Sequence, residues 1–160
     1  MAAGPPIKVG GIIETRELCL IGVMSAPDRP GLAAAIFARL GAEQLNVQCI
    51  VQSIDLNGDS HVQFCVAMSD AEQAIAVLRP VAESLRARQV TTRGPVSHLS
   101  VFGPDFRQRP GIAGTVFKAL ADTGVNILAV SMSISTISCV VAEHDHDAAI
   151  AGLRRVLEVP

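Results

Sequence analysis

Tryptophan and tyrosine are absent from this 160-residue sequence, and phenylalanine occurs five times. Few aromatic faces are left on which a base or a sugar could stack. Excess charge of one sign is missing too, with 13 Lys+Arg against 15 Asp+Glu and a formal net charge of -2. No partnership with nucleic acid or with an anionic membrane surface is expected from that balance. No uncharged apolar run reaches the roughly 18 residues that a spanning helix needs. The opening MAAGPPIKVGG has no basic stretch followed by an apolar one, so no secretory signal is expected. Cysteine is sparse: Cys19, Cys49, Cys65 and Cys139 stand singly in apolar runs. That spacing suits reduced, buried thiols in a cytoplasmic protein rather than disulfides or a zinc site.

Motifs of catalysis are lacking as well. The sequence holds no G-x-x-x-x-G-K-[ST] phosphate loop, no G-x-G-x-x-G and no G-x-S-x-G elbow. The one cluster of metal-binding residue types is Glu143-His144-Asp145-His146-Asp147. Its two histidines alternate, which at a helix start turns them to different faces, so the cluster reads as an exposed acidic helix start that suits the macrodipole. His61 and His98 read as ordinary strand residues, and no cysteine is flanked by a plausible base. No catalytic residue, metal or cofactor is expected.

What the sequence does contain is a copy of itself. Arg29–Ser53 aligns without a gap on Arg109–Ser133 at an offset of 80, sharing Arg-Pro-Gly, Phe, Leu, Asn and the final Ser. Further on, Ala74-Ile75-Ala76 with Leu78-Arg79 matches Ala149-Ile150-Ala151 with Leu153-Arg154 at an offset of 75. The fall in offset places a local insertion in the first copy, near Asp55-Leu56-Asn57-Gly58-Asp59. Two copies are too few for a solenoid, so a pair of small domains is expected.

Each copy follows one grammar. A strand (Cys19–Met24; Ser97–Gly103) leads through a turn into a helix marked by Leu32, Ile36, Phe37 and Leu40, or by Ile112, Val116, Phe117 and Leu120. The helices run out at Leu45-Asn46 and at Gly124-Val125-Asn126, where Gly124 suits a left-handed cap. Val47–Ile54 and Ile127–Ser133 are second strands, and His61–Ala67 and Thr136–Ala142 are third strands. Asn57-Gly58 signals a two-residue hairpin in the first copy and Ile134-Ser135 a tight turn in the second. Second helices follow, from Asp70 to about Arg86 with a kink expected at Pro80, and over Asp145–Leu157. The class is α+β, two ferredoxin-like βαββαβ units in tandem. Gln89–Arg93 supplies the sixth element of the first unit. The second has no such segment after its helix, and Ile7–Ile13 is expected to cross over and complete it. The domains are therefore expected at 14–95 and at 96–160 plus 7–13.

The strand-to-helix loop Ala26-Pro27-Asp28-Arg29-Pro30-Gly31 is the strongest candidate for binding. A helix start offers backbone N–H groups and positive potential to a carboxylate. Gly31 lets a ligand come close, and Asp28 beside it can hold an ammonium group, so the loop matches the two charges of a free α-amino acid. The alternative is a plain capped helix, with Asp28 as the cap and Pro30 in the first turn.

D-x-P-G at Asp28–Gly31, the alanines and Phe37 that follow, Asn46-Val47 and Val51-Gln52-Ser53 resemble the first ACT domain of the aspartokinase regulatory region. Pro110–Ala113, Val125-Asn126-Ile127 and SMSISTISCVV (Ser131–Val141) resemble its second ACT domain, and Val9–Gly22 resembles the segment that joins the kinase part to the ACT pair. The resemblance implies tandem βαββαβ units, binding of threonine or lysine between ACT domains, and a homodimer built through paired sheets. It also implies ligand contacts from Asp28, Gly31, Leu32, Ala33, Asn46, Gln52 and Ser53, with Ser131 and Ser133 facing from the second copy. No segment resembles the kinase part, and some members of that family are separate small subunits. A non-catalytic regulatory chain serving a catalytic kinase chain is therefore implied. Departures from the pattern are Ile134 where the family has Glu, Ser53 where it commonly has Asn, and Met24-Ser25-Ala26 lengthening the first loop. Gln108 stands in register with Asp28, so the two loops are expected to be unequal, with the first one binding. The other classes of function compatible with the sequence are an ACT-type oligomerisation module or regulator of an unrelated enzyme, and an enzyme on the same fold.

Overall fold

Alternation decides which side of each strand is buried. In β2 (Gly11–Pro27), Cys19, Ile21 and Val23 point to one side, where Val62, Phe64 and Val66 of β4 (Asp59–Ala67) join them. This side receives α1 (Leu32–Ala42) and α2 (Ala71–Ser84), which bury Leu32, Ile36 and Leu40, and Ala74 and Leu78, against it. In the computed structural model, which describes residues 5–104 and 106–160, the order of elements is α+β throughout. β1 (Ile7–Lys8) comes before β2, and β3 (Gln48–Ile54) lies between α1 and β4. After α2 come β5 (Gln89–Phe102), α3 (Ile112–Asp122), β6 (Ile127–Met132), β7 (Thr136–Ala142), α4 (His146–Val156) and β8 (Leu157–Glu158).

The chain forms two compact units, one of Glu17–Pro95 and one of Val96–Pro160 together with the residues up to Arg16. In the first, neighbouring strands run β3-β4-β2-β5, and β4 is antiparallel to both its partners. In the second the order is β2-β5-β7-β6, with β7 antiparallel to β5 and β6. Each unit has its own core; that of the second gathers Leu99, Val101, Ile137, Cys139 and Val141 of the sheet under Ile112, Val116, Leu120, Ala149 and Leu153 of α3 and α4. Fully burying one such side chain stabilises the fold by about 1.5–3 kcal/mol.

The repeat is visible in detail, and so are departures from the sequence expectations. The strand expected at Cys19–Met24 is 17 residues long and starts at Gly11. The single N-terminal strand expected at Ile7–Ile13 is divided. Ile7–Lys8 pairs in parallel with Leu157–Glu158, and the chain then turns so that the Gly10 amide meets the Phe102 carbonyl at 2.7 Å. Gly10 and Gly11 lie flat on the Phe102 ring, where an added Cβ would come within 2.7 and 2.8 Å of ring carbons. Instead of a two-residue turn at Asn57-Gly58, the hairpin loop spans Asp55–Gly58. Asp55 accepts the amides of Asn57 and Asp59 at 2.8 and 3.1 Å, and this holds the wider loop. The extra residues of the first copy thus sit in the hairpin, as the change of offset indicates. In the second copy Ser133 and Thr136 close a short hairpin through a 2.8 Å backbone bond. α2 passes through Pro80 and continues to Ser84 as one helix. α1 stops at Ala42, sooner than Leu45-Asn46, because Gln44 turns left-handed at φ 57° and the Leu45 amide folds back onto the Leu40 carbonyl. Gly124 does the same for α3 at φ 77°.

Candidate functional site

The loop after β2 and the start of α1 lie at one end of the first unit. The residue at the head of α1 is Gly31, at φ 89°, and no side chain caps the helix. Asp28 is therefore not the cap expected from the sequence. The Leu32 amide turns back to the Arg29 carbonyl at 3.3 Å, which leaves Asp28 three residues ahead of the helix head and exposed. Its amide is held elsewhere, donating to the Gly58 carbonyl at 3.0 Å. The Ala33 and Ala34 amides occupy the second and third helical positions, where α-helical geometry provides no partner. Around Gly31 an added Cβ would meet nothing within 4 Å, so the space beside this residue is open. Backbone donors and the positive end of a helix thus follow an exposed carboxylate three residues along the chain.

β3 runs back toward this end. Ile54 is in register with Ser60, and Ser60 with Ala26, so the end of β3, the start of β4 and the end of β2 are level. Gln52 and Ser53 are neighbours on β3 and so face opposite sides of the sheet. Gln52 donates to the Ser60 hydroxyl at 2.9 Å, while Ser53 lies opposite His61. Leu32 is 1% exposed and its side chain belongs to the core, so what it brings to the mouth is backbone. Asn46 is not gathered with the others. It follows the far end of α1, about 16 Å of helix from Gly31. Ser131 and Ser133 belong to the second unit. Ser131 is opposite Ser138, and Ser133 is engaged locally, its hydroxyl 2.6 Å from that of Thr136.

The head of α3 repeats that of α1, with Gly111 at φ 87° and no side-chain cap. A family profile described as the ACT domain matches residues 18–80 and again residues 99–157. The chain belongs to the ACT-domain family. Its ACT repeats resemble those of aspartate kinases over nearly the whole sequence. The ligand-free regulatory subunit of aspartate kinase from Thermus thermophilus superposes with a TM-score of 0.84 at 26% identity, covering 94% of this chain and 99% of that one. A chain of a structure of aspartokinase alpha and beta subunits superposes with a TM-score of 0.83 at 27% identity, over 92% of this chain and 97% of its own. Among complete enzymes, the aspartate kinase Ask_LysC of Stutzerimonas stutzeri is 28% identical over 151 residues, 94% of this chain and 37% of the enzyme. The chain thus spans little more than a third of the length of the curated relatives it matches, and the part matched is the tandem ACT region expected from the sequence.

The two ACT repeats differ where the first carries its longer hairpin, and here lie residues that the sequence reading passed over. His61, expected from the sequence to be an ordinary strand residue, accepts the Ser25 amide at Nδ1, 3.1 Å away. Nε2 must then carry the proton, and it donates to Asp55 at 2.9 Å. The hydrogen bond from His61, followed by the amide of Asp59, holds the Asp55 carboxyl below its usual range. Met24-Ser25-Ala26 does not lengthen a loop; it forms a bulge within β2, with Ser25 at φ 55°. The acidic segment Glu143–Asp147, which leads into α4, is not simply exposed either. His146 is 2% exposed and 2.9 Å from Glu14, while Glu143 takes a 2.6 Å ion pair from Arg16 and a hydrogen bond from Ser97. Only His144 and Asp147 point out to solvent. No short-range pattern could have found these pairs, since the partners lie 127 and 132 positions apart. None of the four cysteines is in a disulfide, and Cys49 is only partly buried. Among the described residues no group of three or more His, Cys, Asp or Glu is placed to hold a metal, and no helix is long and apolar enough to cross a membrane.

Proposed function

We propose that this chain is a non-catalytic regulatory subunit that binds a free α-amino acid, threonine or lysine, at the helix mouth of its first ACT repeat and reports occupancy to a catalytic aspartate kinase chain. The observation that carries this reading is the uncapped head of α1, open around Gly31 and preceded by the exposed Asp28, in a chain that matches a regulatory subunit over 94% of its length. The carboxylate of the amino acid takes the Ala33 and Ala34 amides and the Asp28 carboxylate takes the ammonium group. Gln52 and Ser53 edge the same end of the sheet, and Asn46 at the far end of α1 enters only if a second copy lays that end beside the mouth. The homodimer, with Ser131 and Ser133 among the residues that would close the site, belongs to this reading through the resemblance to the family. Four cysteines outside any disulfide fit a reducing cytoplasm. Regulation requires the amino acid to favour one arrangement of the assembly, since a ligand bound equally by two states shifts neither.

Thermal melts against the twenty amino acids test the reading. Threonine or lysine at a hundred times its Kd stabilises the protein by about 2.7 kcal/mol, and the melting temperature rises with concentration. Asp28→Ala removes most of that shift and leaves the ligand-free melt unchanged. A flat response to all twenty makes the chain an oligomerisation module whose helix mouths bind nothing.

A further inference from the structure

The first ACT repeat has a device at its helix mouth that the second lacks. Asp55 is the hub of the longer hairpin: one oxygen accepts the amides of Asn57 and Asp59, and the other accepts His61 Nε2–H at 2.9 Å. The other ring nitrogen accepts the Ser25 amide, where β2 is thrown out of regular pairing between Val23 and Ala26. The hairpin that Asp55 shapes ends in Gly58, whose carbonyl holds the Asp28 amide at 3.0 Å. The imidazole therefore fixes the Asp28 loop from two sides, through the strand bulge three residues before Asp28 and through the hairpin carbonyl that holds Asp28 itself. In the second copy the hairpin is closed by Ser133 and Thr136, with no histidine or carboxylate in it.

We infer that His61 and Asp55 are positioning residues for the Asp28 loop, and that the loop takes its ligand-binding form only while the His61 ring is neutral. A doubly protonated imidazole donates from both nitrogens. It keeps Asp55 but faces the Ser25 N–H with a second N–H, so the bulge has to move and the start of the Asp28 loop moves with it. Of the charged residues on these elements, Asp55 touches the ring, Asp59 shares its hairpin, Asp28 and Arg29 follow the bulge, the Arg88 amide bonds to the Met24 carbonyl, and Glu14, Arg16 and Glu17 lie eight or more residues back along β2 from Ser25. The inference rests on the amino-acid reading of this loop for its consequence, a sensor whose occupancy falls as the medium turns acid, and its structural half can be tested without a ligand.

The experiment follows amide resonances of the full chain by NMR between about pH 8 and pH 5.5, the range in which imidazoles take up a proton, for the wild type and for His61→Asn. Asn places an oxygen where Nδ1 stood and does not titrate. In the wild type the Ser25 and Asp28 amides shift together with the His61 ring, and in His61→Asn both stay still. A Ser25 or Asp28 amide indifferent to the ring's titration overturns the inference. Titration with L-threonine and L-lysine adds the functional arm: wild-type affinity falls about tenfold from pH 8 to pH 5.5, and His61→Asn removes the fall. Equal pH dependence in both proteins also overturns it. If neither amino acid binds at any pH, the reading of the loop as an amino-acid site fails, and the amide shifts alone still decide whether His61 sets the loop.

Discussion

Gly31 and Gly111 head their helices at φ 89° and 87°, and in both places a Cβ would point into open space. A methyl group there costs left-handed strain and nothing else, so Gly31→Ala and Gly111→Ala should each lose about 1–2 kcal/mol in urea melts. Unequal losses would show that one mouth is strained in a way the other is not. Cys65 is a different case, 0% exposed and with burial pushing its thiol up to about 12. Burial also raises Cys19, whereas Cys49 is partly exposed. Brief labelling of the folded protein with a thiol reagent at about pH 8 should therefore mark Cys49 before any other cysteine, as peptide mapping would reveal. Asp55 sets a sign as well as a position. Its folded value lies below the ordinary 3.8, so its ionised form favours the folded chain. That stability is fully present above 3.8 and is lost as pH falls through the lower folded value. Asp55→Asn should flatten the acid limb of the urea midpoint below about pH 4.

Between the two repeats, equivalent elements make controlled comparisons. α1 and α3 both end in a left-handed residue, Gln44 at φ 57° and Gly124 at φ 77°. Glycine adopts that conformation without the penalty a side chain brings, so Gln44→Gly should stabilise by roughly 0.5–1 kcal/mol, and Gly124→Gln should cost about as much. Denaturant midpoints of the two variants check this directly. The helices and their buried faces could be read from the sequence because the signal is local: Leu32, Ile36 and Leu40 in one copy and Ile112, Val116 and Leu120 in the other fall on one side of a turn of 3.6 residues. The hairpin insertion was legible for a similar reason, since it shows as a change of offset. The length of β2 was not. Glu14, Arg16 and Glu17 make its first half look like a polar linker, and they are tolerated because Glu14 and Arg16 find His146 and Glu143 more than 120 residues away. The candidate site was legible as a loop motif. The His61–Asp55 support behind it was hidden, because it depends on a bulge at Ser25 that no short-range pattern encodes.

At the scale of the whole molecule, residues up to Arg16 group with Val96–Pro160. They bring β1 to pair with β8, the first part of β2, and the polar contacts to His146 and Glu143. Removing every residue before Glu17 should leave hydrogen-exchange protection in 17–95 and abolish most of it in 96–160. Full protection of both would mean that the arm is an accessory. β2 and β5 each begin in one unit and finish in the other, so the duplication has not left two cassettes laid end to end along the gene. A hybrid made by one crossover at residue 95 would inherit a C-terminal unit whose N-terminal arm comes from the other parent. Exchange of that unit between relatives needs two breakpoints, near 16 and near 95, and lineages that recombine this region should preserve both stretches from the same ancestor.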